Sequence, residues 1–254
     1  MRWISGILIA IASPVAGAAA QEAPQITWSA TDAGSKTPHF TIQATIGSNS
    51  MLRSGNMDEI PGVRPALFNG RNTADVHFTI PRDAGALDCT GTAGQGRGTG
   101  NCTFRASPTY AAEIARRGIA RPDGIQLVRL ALSDVGVAFI DSMRGAGVSE
   151  SDAEPYIHLR NHDVAAAYIR DLRRAGVPDL DAESVIRLRN HDVTPAFVTS
   201  IKTAGVIDLG AEGLIRMRNH GVDAAFVRQA RTAGVTDLSP EQLVWHRSHG
   251  FKRD

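Results

Sequence analysis

A step of 29 residues recurs through the second half of this chain and restricts its fold more than any other feature. Asn-His-Asp-Val stands at 161–164 and again at 190–193, and Asn-His-Gly-Val follows at 219–222. Gly118, Gly147, Gly176, Gly205 and Gly234 form a column at the same step, as do Tyr110, Phe139, Tyr168, Phe197 and Phe226. Self-similarity of this period is the mark of small units that cannot bury a hydrophobic face alone and must stack. Five units fill the stretch from Ala106 to Phe251, the outermost two being the most divergent.

Each unit reads as two helices. Ser107-Pro108, Thr194-Pro195 and Asp223 announce the first helix, because a short oxygen-bearing side chain suits the N-cap and proline the first helical residue. The column glycine ends it. Asp123, Asp152, Asp181, Gly210 and Ser239 open the second helix, and Ser239-Pro240-Glu241-Gln242 has the form of a capping box. In the clearest copy Phe197, Val198 and Ile201 form the apolar stripe of the first helix.

Two polar columns accompany the repeat. His162, His191, His220 and His249 close the second helices. Stacking sets successive imidazoles roughly 10 Å apart, too far to share one zinc ion. They read as helix C-caps, favoured by the negative end of the helix dipole, with a metal- or pH-responsive role as the rival reading. Arg160, Arg189, Arg218 and Arg247 form the second column, with Arg187 and Arg216 two residues ahead of two of its members. They are the candidate interaction surface, since stacked guanidiniums receive carboxylates or phosphates. The competing reading is a solvated ladder paired with neighbouring acids.

The part before the repeat alternates instead. Phe40, Ile42, Ala44 and Ile46 recur every second residue, as do Val76, Phe78 and Ile80, which is the pattern of half-buried strands. The segment 48–72, rich in Ser, Gly, Asn and Pro, is expected to be a long irregular connection. Antiparallel pairing that brings Cys89 opposite Cys102 also brings Leu87 opposite Phe104, so one register serves a disulfide and an apolar pair. The glycine-rich run 91–100 between them is expected to be a flexible hairpin tip. It lacks Gly-Lys-Ser/Thr and opens no helix, which sets it apart from a phosphate-binding loop.

Compartment follows from the N-terminus. Arg2, the apolar run from Ile4 to Ile11 and Ala18-Ala19-Ala20 before Gln21 have the form of a cleaved secretory signal. The expected location is periplasmic or secreted, where a disulfide persists. Lys and Arg number 27 against 26 Asp and Glu, which argues against a nucleic-acid partner. Gly-x-Ser-x-Gly, Ser-x-x-Lys and His-Glu-x-x-His are all missing, so no catalytic residue, cofactor or metal is assigned. Asn101-Cys102-Thr103 matches a glycosylation triplet whose cysteine is already assigned to the bridge.

The units running Asn-His-Asp-Val, Ala-Gly-Val, Asp-Leu, Glu and Leu-Arg-Asn-His resemble repeats of exported bacterial proteins and of the extracytoplasmic tails of BlaR-type antirepressor membrane metallopeptidases. The segments Phe78 to Gly91 and Gly98 to Phe104 resemble the β segment that precedes such repeats. The resemblance implies a detached sensor or scaffold module without the peptidase domain.

The expected fold is therefore α+β: a signal over 1–20, a small antiparallel β domain over 21–105 with one disulfide, and a solenoid-like array of five helix pairs over 106–254. The expected function is a non-enzymatic interaction or scaffold module whose partner is another envelope or secreted protein, without membrane insertion once the signal is removed. The alternatives are a hydrolase of envelope polymers at the junction of the two parts and a metal- or pH-responsive sensor.

Overall fold

The structure, a computed structural model, describes residues 24–31, 39–46, 48–56 and 70–251 together with 60, 63, 64, 66 and 68. The expected signal lies outside these residues. The described residues form an α+β fold, an antiparallel sheet followed by helices.

The strands are β1 (Gln25–Thr31), β2 (His39–Ile46), β3 (Asn49–Asn56), β4 (Ala74–Arg82), β5 (Gly85–Gly94) and β6 (Arg97–Ala106). They lie in the order β3-β2-β1-β6-β5-β4. Alternation sets which side chains turn inward: Ile26, Trp28 and Ala30 of β1, Phe40, Ile42 and Ala44 of β2, and Val76, Phe78 and Ile80 of β4 are all buried. The Phe40 and Phe78 rings meet at 5.9 Å although three strands separate β2 from β4 in the sheet. The sheet therefore curls over its apolar face, as its inherent twist favours.

The expected irregular segment 48–72 contains β3, which corrects that expectation. β3 is an edge strand that carries little apolar side chain, and its Leu52 is 61% exposed. Pairing with β2 fixes its conformation, and hydroxyl contacts such as Thr41 Oγ1 to Ser54 Oγ at 3.4 Å line it. A strand held by a neighbour rather than by burial leaves no hydrophobic period to read.

Cys89 faces Cys102 and Leu87 faces Phe104 in the β5–β6 ladder, and the two cysteines form a disulfide. The expected flexible tip over 91–100 is corrected too: pairing continues to Gly94 and Arg97, closed by Gln95-Gly96 at φ 55° and 74°. Two central residues at positive φ match the twist of a two-residue hairpin turn. The glycines inside these strands make room for an indole. A Cβ on Gly100 would lie 2.6 Å from Trp28 Nε1, and one on Gly91 would lie 2.8 Å from its ring. Trp28 Nε1 donates to the Thr90 carbonyl at 3.1 Å beside them.

The helices are α1 (Tyr110–Ala115), α2 (Gly124–Leu132), α3 (Val137–Gly145), α4 (Ala153–Asn161), α5 (Ala166–Ala175), α6 (Ala182–Asn190), α7 (Pro195–Ala204), α8 (Ala211–Asn219), α9 (Ala224–Thr232) and α10 (Pro240–His249). Each packs on its next-but-one neighbour, so even helices contact even and odd contact odd. The even helices start at the expected caps, with Asp123, Asp152, Asp181, Gly210 and Ser239 as N-caps. The reciprocal capping box forms at Asp123 and Gln126, whereas at Ser239 only the hydroxyl half is made. The first helix begins at Tyr110 behind Thr109 rather than behind Ser107, whose hydroxyl accepts from the Tyr110 amide at 3.3 Å. Gly118, Gly147, Gly176, Gly205 and Gly234 all have positive φ, the conformation in which chains leave helices. Among the described residues no helix is long and apolar enough to cross a membrane.

One apolar core lies within the sheet and a second runs through the helices. Val128 and Leu132 of α2 are buried in the sheet's core, and Phe104 and Met51 contact both. Helix α2 thus joins the helices to the sheet.

Candidate functional site

The polar columns are joined unit to unit. Each column arginine lies over the aromatic ring of the preceding unit: Arg160 over Phe139 at 5.3 Å, Arg189 over Tyr168 at 6.0 Å, Arg218 over Phe197 at 5.6 Å and Arg247 over Phe226 at 5.1 Å. A guanidinium is weakly hydrated and planar, so it covers a half-buried ring while its N–H edge faces water. The column expected to receive an anion thus also seals the seam between units. Arg187 pairs with Glu212 and Arg216 stands exposed on α8.

His162, His191 and His220 occupy helix C-caps, and His249 is the last residue of α10. His162 Nδ1–H donates to Asn190 Oδ1 at 3.0 Å, and His191 Nδ1–H donates to Asn219 Oδ1 at 3.1 Å, which joins each cap to the next unit. Among the described residues no group of three or more His, Cys, Asp or Glu is placed to hold a metal ion.

A third column escaped the sequence reading. Arg173 Nε donates to the Ala146 carbonyl at 3.0 Å, Lys202 Nζ to Ala175 at 3.4 Å and Arg231 to Ala204 at 3.3 Å. Each cation meets the last carbonyls of the preceding odd helix, where the dipole is negative. The signal was present as a basic residue every 29 positions at 144, 173, 202 and 231.

Among the described residues two concave regions stand out. A groove of about 460 Å³ runs between α4 and α6, rimmed by Glu150, Glu154, His158, Asp181 and Glu183. Most of these groups are engaged locally. Glu150 accepts from the Ala182 amide at 3.3 Å, and Glu154 holds Arg129 and His158. Asp181 caps α6 through the Ser184 amide at 2.8 Å, which holds its carboxyl below the usual range.

The second is a cavity of about 230 Å³ where the sheet meets the helices. Phe40, Ile42, Ile80, Leu87 and Leu132 supply its apolar lining. Among the described residues its charged groups are Arg53 from β3, Arg82 from the end of β4, Asp134 after α2 and Arg160 from α4. Arg82 Nε reaches Asp134 Oδ1 at 3.2 Å and Arg160 reaches Oδ2 at 2.9 Å. The Arg82 side chain is only 17% exposed. Burial lowers its pKa, Asp134 opposes that shift, and the charges of Arg53 and Arg160 add to it. The Arg160 Nε–H is sealed from solvent without an acceptor among the described residues. Three guanidiniums thus face one carboxylate. Of these four only Arg160 was singled out from the sequence. Asp134 holds the same place in its unit as Asp163 and Asp192, and all three have positive φ, so the signal for it was its column.

Comparison with family models, curated proteins and solved structures finds no match for this chain.

Proposed function

We propose that the protein is an exported, non-enzymatic interaction module, periplasmic or secreted, whose helix pairs stack as a solenoid-like array and present an extended face to another envelope or secreted protein. The observation that carries this reading is the recurrence of the same three interunit contacts: arginine over ring, imidazole to Asn, and cation to helix-end carbonyl. Contacts repeated at one step hold neighbouring units in one geometry, and a preorganised surface loses less entropy on binding than a flexible one. The exposed guanidinium edges of Arg189, Arg218 and Arg247 give that face hydrogen-bond donors in a row.

The hydrolase alternative placed its cleft at the junction. A cavity lies there, but its lining among the described residues holds one carboxylate, Asp134, gripped by two arginines. Hydrolysis by general acid and base needs a second titratable group in reach, so the binding reading has the better support.

Affinity capture from an envelope fraction, with the disulfide-bonded chain as bait, tests the proposal. One partner is expected to be enriched, and Arg189→Glu with Arg218→Glu is expected to release it. Cleavage of an envelope polymer by the purified protein, with no partner retained, would overturn it.

A further inference from the structure

Among the described residues the junction cavity is lined by three guanidiniums and a single carboxylate. Packing of sheet on helices is served by the apolar contacts of Val128 and Leu132 and by the Arg82–Asp134 pair. Arg53 plays no part in that. It sits on the edge strand β3 opposite Ile42, on the side of the sheet that faces the cavity, and is exposed. Arg160 lines the same cavity from α4, with its outer nitrogen paired to Asp134 and its guanidinium over the Phe139 ring.

We propose that this cavity is a binding site for a small organic carboxylate, with the acid group among Arg53, Arg82 and Arg160 and a short apolar body against Phe40, Ile42 and Leu132. Guanidinium and carboxylate match in shape and charge, and the pairing strengthens where water is excluded. The apolar lining selects against inorganic phosphate, which has nothing to place there. At about 230 Å³ the space lies below the roughly 300 to 1,000 Å³ of pockets that hold drug-sized ligands, so the guest is small. Asp134 acts as the resident carboxylate that an arriving anion must share.

That last relation gives a test that a structural role for these residues would not pass. Calorimetric titration of the whole disulfide-bonded chain with hexanoate and benzoate is compared with their neutral amides and with inorganic phosphate. The carboxylates are expected to bind at least about tenfold more tightly than the amides and than phosphate. Arg53→Gln, a substitution on an exposed edge strand, is expected to weaken hexanoate about tenfold, and Asp134→Asn to strengthen it about tenfold, because one removes a cation and the other the competing anion. Near-ultraviolet circular dichroism checks that both variants stay folded. Should Asp134→Asn disturb the junction, Arg53→Gln decides alone. Equal binding of acid and amide, phosphate binding as well as hexanoate, no binding at all, or an unchanged Arg53→Gln would each overturn the proposal. Any of these would leave the protein-partner reading of the array untouched.

Discussion

The carboxylate of Asp83 accepts a hydrogen bond from the Val137 amide at 2.8 Å, so a residue of the sheet's β4–β5 turn caps helix α3. The N-cap of α3 is Gly136, which has no side chain to do this itself. Asp83→Ala is expected to lower stability by about 1 kcal/mol, the usual cost of a lost cap. Gly136→Ser should behave oppositely in the two backgrounds. Its Cβ would meet Asp83 Oδ2 at 2.7 Å in the native chain, yet in Asp83→Ala the new hydroxyl takes over the cap. Urea unfolding midpoints of the four proteins read the reversal.

Glycines that look alike in the sequence are expected to respond very differently to alanine. At Gly100 an added Cβ lies 2.0 Å from the Thr90 carbonyl and against the Trp28 indole, with backbone on one side and a buried ring on the other. Gly100→Ala should cost at least about 3 kcal/mol, at the upper end for overpacking. At Gly234 the space is open and only φ of +95° resists a side chain. Gly234→Ala should cost about 1 to 2 kcal/mol. Denaturant unfolding separates the two.

Those glycines also show why part of the fold could be read in advance and part could not. Strand register was legible because Leu87, Cys89, Cys102 and Phe104 obey one pairing rule, and the even helices because an acid or serine stands before four of the five, with Gly210 before the other. Gly91 to Gly100 misled because glycine normally signals a turn, whereas here its smallness serves Trp28, more than 60 residues earlier in the chain. That relation is tertiary and leaves no local period. β3 was hidden for the complementary reason, since an edge strand takes its shape from its partner. At the candidate site Arg160 stood out as a column member. Arg53 and Arg82 did not, because nothing in their neighbourhoods indicates that β3, β4 and α4 converge.

Stacking of the arginine column on rings predicts a measurable coupling. A double-mutant cycle of Arg218→Ala and Phe197→Leu should return about 0.5 to 1 kcal/mol, the worth of a cation over a ring at a partly exposed site. Arg216, two residues earlier and exposed, has the same charge without the ring. Arg216→Ala should change stability by less than about 0.5 kcal/mol. Equal effects at the two positions would mean that charge alone, and not the stack, matters.

Alkaline pH should loosen the helical part through Tyr110 and Tyr168. Tyr110 donates to the Val135 carbonyl at 2.6 Å and Tyr168 to the Val193 carbonyl at 2.8 Å, the same contact made in two units. Burial pushes the Tyr168 phenol up to about 12 and raises that of Tyr110 further. Unfolded tyrosine ionises near about pH 10, so above that pH unfolding releases protons that the native state retains. The stability contributed by these groups is complete below about pH 10 and is lost as the pH rises through the folded pKa values. Melting temperatures are therefore expected to stay level up to about pH 9 and to fall steeply from about pH 10 to 12. Tyr168→Phe should melt lower at neutral pH, because the Val193 carbonyl loses its donor, and should show a shallower alkaline fall. The tyrosinate absorbance that Tyr168→Phe removes must appear with unfolding rather than before it. Ionisation of Tyr168 in the still-folded protein would contradict the burial that shields it.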